Sequence, residues 1–345
     1  QCIELNAIKK YGFQSIFWLA EEIDNLIPYD AELVAEIYRK AFSYNEESED
    51  KTVLGGNILP LTSTRKQDFE LGLYSLGQNF SKFLEAAPIY ATRTLIAVIE
   101  AYVSKNHPLG DSVTEESFDF NNRKAIIKAD YSYIWDSATY SGDVPMEMLH
   151  EFSQYLERIS EDAFSLDELR TLIDVILLEN KLAIVWRCLL KCGIKYPATL
   201  GQEIRYLAWA IPILTAYDTT TLVGDFIKTI FVHLTDNERE HIEKAIISIP
   251  SLFEEGYEES SQYTRNRLLG CLEANAVVTQ QVKLILEEMM SQGGLPPNQP
   301  LFSLGEVEIQ AYGEIDYLAS RGVPVTAEAN IKIQELEEPI KAFSK

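Results

Sequence analysis

The sequence lacks the long hydrophobic run that a membrane protein needs. None of its apolar stretches reaches the roughly 18 residues of a membrane-spanning helix. Its first residues, "QCIELNAIKKYG", contain neither the hydrophobic region of a signal peptide nor an initiating Met. We therefore expect no membrane association, and we expect the chain to be a processed product or part of a longer protein.

Cysteine is scarce, with four residues in a chain of 345. Cys188 and Cys192 are four positions apart in a predicted helix, a spacing that suits a disulfide poorly. No second Cys or His pair completes a zinc site. We predict buried free thiols in a reducing cytoplasm, and no metal ligands.

Basic charge is also scarce, because 30 Lys and Arg face 53 Asp and Glu, giving a formal net charge of −23. No basic run exceeds two adjacent residues. Such a chain repels the phosphates of nucleic acids and anionic membrane surfaces. Its acidic stretches at 45–50, 253–260 and 335–338 are either solvated loops or a surface that steers a basic protein partner.

Motifs for nucleotide binding and catalysis are missing. In "GGNILPLTSTRKQ", residues 55–67, the glycines are adjacent, Lys66 is far from Gly56, and Pro60 removes a backbone donor. This order excludes a Walker A loop. The four histidines fit no zinc-protease or deaminase pattern, and no G-x-S-x-G elbow occurs. We assign no catalytic, cofactor-binding or metal residues and no cofactor.

Helical periodicity dominates what is present. Apolar residues recur at helical spacing along most of the chain, and "LAIVWRCLL" is apolar almost all round, which predicts a buried central helix. Asp30 is a predicted N-cap, Ser165/Glu168 and Thr235/Glu238 are predicted capping boxes, and Pro212 should split a helix. Helix pairs recur at roughly 35 to 45 residues, as in HEAT, armadillo and tetratricopeptide arrays. We predict an all-α, irregular α-solenoid, with a compact bundle as the alternative.

One region departs from the helical pattern. From Ile127 to Trp135, aromatic and β-branched residues alternate mostly with polar ones, which favours strand structure. We predict a small β-like insertion, a candidate β-hairpin, at 106–144. Tyr131, Tyr133 and Trp135 either pack on neighbouring helices or form an aromatic ribbon that contacts a partner.

These patterns divide the chain into four parts. The predicted parts are an N-terminal helical region at 1–105, the insertion at 106–144, a helical array at 145–295, and a linker with C-terminal helices at 296–345.

Arg65 and Lys66 stand in the predicted first turn of a helix, where the helix dipole disfavours cations. This conflict indicates that they face an internal carboxylate, water or a partner. The candidate partner contacts are therefore Arg65, Lys66, Tyr131, Tyr133 and Trp135.

Two segments carry a resemblance to a known family. "FWLAEEIDNLIPYDAELVAEIYRKAFSY" and the later "ILPLTSTRKQDFELGLYSLGQNFSKFLEAAPIYATRTLIAVIEAYV" resemble the helical region beyond the NTPase module of large bacterial STAND-type antiviral NTPases. The resemblance covers about residues 12–104. It implies a sensor or scaffold segment, with the ATPase elsewhere, and it transfers no functional residue because the Walker elements have no counterpart here.

The sequence thus predicts a non-enzymatic helical-repeat scaffold or sensor that binds another protein. The resemblance adds a place in a bacterial antiviral defence system. The alternative is a helical enzyme or effector subunit with a carboxylate or His site that no motif marks. The sequence leaves the oligomeric state open.

Overall fold

The part of the chain that the structure describes is mostly helical and contains one small antiparallel sheet. The structure is a computed structural model that describes residues 5–47, 64–110, 113–136, 142–162, 165–253 and 256–299. Within these ranges, every helix is too short or too polar to cross a lipid bilayer. The predicted C-terminal helices lie outside the described residues.

The elements of the first half are α1 (Leu5–Glu21), α2 (Ile23–Leu26), α3 (Ala31–Ser43), α4 (Thr64–Gln78), α5 (Phe80–Ala86), α6 (Pro88–Asn106), β1 (Glu115–Phe120), β2 (Arg123–Lys128), α7 (Ser132–Trp135), α8 (Val144–Glu161) and α9 (Leu166–Glu179). The second half contains α10 (Ala183–Lys195), α11 (Leu200–Glu203), α12 (Ile211–Thr215), α13 (Thr220–Ile230), α14 (Asp236–Ser248), α15 (Glu258–Leu269) and α16 (Gln280–Ser291). Short 3₁₀ turns occupy Arg205–Trp209, Phe231–His233, Ile249–Leu252 and Ala274–Ala276.

Helices α1 and α4 pack side by side and run in the same direction. A Cβ at Gly12 would meet Ile8 and Phe69, and a Cβ at Gly72 would lie 3.0 Å from the backbone nitrogen of Phe17. The two glycines therefore permit a close approach of the helix axes that a larger residue would prevent. Further along the chain, α3 packs on α6 and α6 packs on α9.

The helix signals in the sequence are mostly confirmed. The Asp30 carboxylate accepts from the backbone of Leu33 and caps α3. The region around Pro212 is split into α11, a 3₁₀ turn and α12. The capping box of Thr235 and Glu238 is present at α14. The box predicted at Ser165 and Glu168 is wrong, because Ser165 makes no cap bond to the backbone and its hydroxyl donates to Asp162 instead.

The central helix is α10, and its residues from Ala183 to Leu190 are buried. It packs against α8, α13 and β2. Cys188 and Cys192 on this helix are buried free thiols, as predicted, and so is Cys271. A helix that is apolar all round can be satisfied only by neighbours on every side, which is why α10 lies inside the fold.

The sheet is a hairpin in which β1 pairs antiparallel with β2, with Glu115 opposite Lys128 and Phe120 opposite Arg123. Its two turn residues, Asn121 and Asn122, have φ of 47° and 64°, the left-handed values that a tight hairpin turn requires. The inner face, which includes Phe118, is buried; the Phe118 ring packs edge-on against Trp186, with 5.5 Å between ring centres.

The strand predicted through Trp135 is wrong in its second half. Strand β2 ends at Lys128, and Ser132–Trp135 forms a single helical turn, α7. Tyr131 lies between them with φ of 58°, a left-handed conformation that breaks the extended chain. The alternating pattern of this segment therefore comes from a helical turn in which Ser132 is buried while Tyr131 and Tyr133 are exposed.

A buried arginine joins α13 to α15 and to the segment after α16. The Arg267 side chain is almost completely buried, and it donates to the carbonyl of Thr220 at 3.2 Å, to the Thr220 hydroxyl at 2.5 Å and to the side-chain oxygen of Asn298. The Asn298 amide in turn donates to Thr221 O and to Asp225 Oδ1. Gly224 leaves room for Asn298, since a Cβ there would lie 2.6 Å from the Asn298 oxygen.

Candidate protein-binding site

Arg65 and Lys66 lie in the first turn of α4, and Arg65 has internal partners. Its guanidinium donates to the carbonyl of Lys9 at 3.1 Å and to the Glu46 carboxylate at 3.4 Å, and it lies 4.6 Å from the centre of the Phe13 ring. Lys66 Nζ lies 4.0 Å from Glu70 Oε1 in a solvated pair. Of the three environments that the sequence left open for Arg65, the structure shows an internal carboxylate, that of Glu46. A partner contact by either residue stays a prediction.

The three aromatic candidates are placed around α7 but differ in role. Tyr131 and Tyr133 expose 43% and 41% of their surface. Trp135 is half-buried, its indole N–H donates to the carbonyl of Asp130 at 2.9 Å, and its ring stacks on His107 with 4.2 Å between ring centres. Trp135 thus anchors the turn from inside, while the two tyrosines face solvent.

Two residues that the sequence did not mark join the tyrosines. Ile134 on α7 is 49% exposed, and Tyr217, before α13, is 60% exposed. The rings of Tyr133 and Tyr217 lie 6.2 Å apart between centres. We call Tyr131, Tyr133, Ile134 and Tyr217 the aromatic patch. Tyr217 lacked a sequence signal because it comes 84 positions after Tyr133 in a short turn.

Two buried aspartates, Asp130 and Asp218, fix the residues of the patch by hydrogen bonds. Asp218 is 2% exposed, and its carboxylate accepts from the backbone of Asp130 at 3.3 Å, from the Ser132 hydroxyl at 3.3 Å and from the backbone of Tyr133 at 3.2 Å. Because Asp218 follows Tyr217 directly, these bonds tie the turn that carries Tyr217 to α7. The relative positions of the patch residues are thereby set before any partner arrives.

Asp130 is completely buried, and its carboxylate accepts from the backbone of Ser132 at 3.0 Å and of Ile184 at 2.8 Å. Ile184 is in the first turn of α10, so Asp130 caps that helix from a distant part of the chain. Burial, with the neighbouring Asp218 charge, raises the pKa of Asp130 to about 6, although the hydrogen bonds from Ser132 and Ile184 oppose the shift.

Two cations of α10, Arg187 and Lys191, bind the carboxylate of Asp136 at the C-terminal end of α7. Nε and Nη2 of Arg187 both lie 3.2 Å from Asp136 Oδ2, and Lys191 Nζ lies 2.5 Å from the same oxygen. Arg187 also donates to the carbonyl of Asp218. One guanidinium on α10 therefore connects α7 to the Tyr217 turn, which makes the base of the patch rigid.

A small cavity of about 140 Å³ lies beside Asp136. Its lining includes His150, Ser153 and Cys188. The hydrogen bond between the two thiols, together with burial, raises the pKa of Cys188, and the same hydrogen bond lowers the pKa of Cys192. Across the described ranges, no group of three or more His, Cys, Asp or Glu side chains is placed to hold a metal ion.

Comparison with protein-family models, curated proteins and solved structures found no match to this chain.

Proposed function

We propose that this chain is a non-enzymatic helical scaffold or sensor segment that binds a protein through the aromatic patch. The observation that carries the proposal is that three tyrosines and an isoleucine are exposed on a base held by the Asp130–Asp218 network. Tyr supplies large contact area at low entropic cost, and it is enriched among residues that dominate binding energy. Exposed aromatics on a rigid base lose little further freedom on binding.

The partner that this surface suits best is a basic protein. The net charge of −23 attracts basic surfaces over long range, and tyrosine rings attract Arg and Lys side chains at close range. A nucleic-acid partner is disfavoured, since phosphates would meet the same negative field.

The stacking of α3 on α6 and of α6 on α9 supports a further proposal, that the helices form an irregular solenoid. Arrays of this kind present long surfaces for protein partners. The resemblance of residues 12–104 to STAND-type antiviral NTPases supports the proposal that the chain is a helical segment of such a defence protein. Reading the coding sequence on both sides of this chain tests it. An NTPase module is expected there, and its absence contradicts the proposal.

The alternative is a helical enzyme or effector subunit with a carboxylate or His site, and the cavity beside Asp136 is one place for it. That cavity, at about 140 Å³, is smaller than the roughly 300 Å³ at which small-molecule sites begin. This volume disfavours a small-molecule active site in the cavity beside Asp136.

Affinity capture with matched tyrosine variants tests the main proposal. Tyr133→Ala and Tyr217→Ala should each remove a protein that the wild type retains, and the purified protein should then bind the wild type directly. The controls are Tyr29→Ala and Tyr257→Ala, which alter tyrosines that are 89% and 59% exposed outside the patch. If the controls lose the protein equally, or if the patch variants retain it, the patch is not the binding surface.

A further inference from the structure

A second concave site lies at the tip of the hairpin, away from the aromatic patch. It is a cavity of about 330 Å³ between the hairpin turn, the 3₁₀ turn Arg205–Trp209 and the first turns of α14. We call it the hairpin cavity. Its volume falls at the lower end of the range for small-molecule sites, roughly 300 to 1,000 Å³.

Two aromatic side chains line one side of the hairpin cavity. Tyr206 and Trp209 pack edge to face with 5.4 Å between ring centres, and both are half-buried. Phe120 lies 5.1 Å from Tyr206 between ring centres and supports it. An aromatic face carries negative charge density, so it attracts the C–H hydrogens on the apolar face of a sugar ring.

Four polar side chains without a formal charge and two carboxylates line the rest of the cavity. The amides of Asn121, Asn122 and Asn237 and the imidazole of His241 are exposed there. Within the described ranges, none of these four side chains forms a hydrogen bond with the protein. An amide offers both a donor and an acceptor, which matches the paired donor and acceptor character of neighbouring sugar hydroxyls.

The charges around the cavity are already paired. Asp119 lies 2.9 Å from Lys124, and Glu238 lies 2.6 Å from Arg205 while it also caps α14. In the described part of the chain, neither Lys nor Arg lines the cavity itself. A phosphate would therefore meet two carboxylates and no facing ammonium or guanidinium group, which disfavours nucleotides and sugar phosphates.

We propose that the hairpin cavity binds a neutral saccharide, with one pyranose ring against Trp209 and its hydroxyls bonded to the asparagine amides and to His241. The aromatic side supplies apolar contact, the amides supply orientation, and the paired carboxylates exclude anionic ligands. The left-handed turn at Asn121 and Asn122 holds two of the amides in place relative to the strands.

Isothermal titration of the full chain with three neutral probes tests this proposal. The probes are N,N′-diacetylchitobiose, maltotriose and cellotriose, with adenosine and inorganic phosphate as contrasting ligands. At least one saccharide should bind saturably. Trp209→Ala and Asn237→Ala should each weaken that binding about tenfold or more, because each removes a direct contact. Trp18→Ala, at a tryptophan 68% exposed on α1, should leave the affinity unchanged.

Several outcomes would overturn the proposal. They are no saturable binding of any of the three saccharides, equal affinity in the wild type and in both cavity variants, or binding of adenosine or phosphate in place of the sugars. Asn237→Ala alters an exposed side chain, so a loss of affinity in this variant with an unchanged melting temperature separates a lost contact from misfolding. None of these outcomes depends on the aromatic patch.

Discussion

Asp130 and Arg267 are both buried and charged, but the protein satisfies them in different ways. The Asp130 carboxylate accepts from backbone amides, including one at the start of α10. The Arg267 guanidinium donates to one backbone carbonyl and to two side chains, Thr220 and Asn298. Neither group takes its hydrogen bonds from an oppositely charged side chain, so oriented dipoles stabilise each charge.

The difference determines which cluster can be dismantled by substitution. The backbone amides of Ser132 and Ile184 donate to Asp130, and these two donors remain when the side chains of Ser132 and Ile184 are replaced. The dipoles around Arg267 depend on Asn298, which comes from a segment outside α13 and α15. The cluster around Asp130 therefore depends little on single side chains. The cluster around Arg267 depends on the segment between α16 and residue 299.

The largest expected effect tests the aspartate cluster. Asp218→Ala removes the acceptor of two buried donors, on Asp130 and Ser132, and of a part-buried one on Tyr133, and should lower the free energy of unfolding by about 4 kcal/mol. Urea denaturation measures the change. Asp167→Ala is the control, because that side chain is 98% exposed and should change stability by less than about 0.5 kcal/mol. A similar small change in both variants would show that the cluster contributes little.

The next effect is a pH dependence that Asp130 imposes. The pKa of Asp130 is about 6 in the folded protein and 3.8 without its surroundings. The folded protein therefore binds the Asp130 proton more tightly than the unfolded chain does. The stability due to this group is fully present below about pH 4 and is lost as pH rises through 6. The wild type should gain up to about 3 kcal/mol relative to Asp130→Asn between pH 7 and 4.

Denaturation of both proteins at each pH measures that difference, in which the other titrating groups largely cancel. A difference that stays flat, or that shrinks on acidification, would contradict the assigned direction of the Asp130 pKa.

The smallest of the three effects tests the arginine cluster. Asn298→Ala removes an acceptor from Arg267, whose pKa burial already lowers, and should cost about 1 to 2 kcal/mol. Hydrogen exchange should also become faster in the segment 293–299, which Asn298 ties to α13. Asn45→Ala, at an exposed asparagine, is the control. Unchanged exchange in the segment would show that other contacts hold it.

The helices could be predicted from the sequence because each depends on the spacing of apolar residues within a short stretch of chain. The apolar run that forms α10 and the break at Pro212 needed no information from distant residues. The Thr235 capping box was also local. The box at Ser165 failed because the Glu168 carboxylate accepts from the Tyr155 hydroxyl, 13 positions away, in place of the local bond.

Only half of the candidate site could be predicted from the sequence. Tyr131 and Tyr133 could be selected as aromatic residues in a region without helical periodicity. Tyr217 and Asp218 could not, because they meet α7 through contacts across more than 80 residues. The left-handed conformation of Tyr131 was equally hidden, since its cause is the Asp130–Asp218 network and not its own side chain.

The Asn298 contacts also define how the chain resists mechanical load. A pull applied at residue 299 reaches Asn298 first, where hydrogen bonds to Thr221, Asp225 and Arg267 divide it between α13 and α15. Helix α16, although nearer in sequence, is shielded from that force until these bonds break. The hydrogen bonds of Asn298 would thus bear a force applied at residue 299 before that force reaches α16.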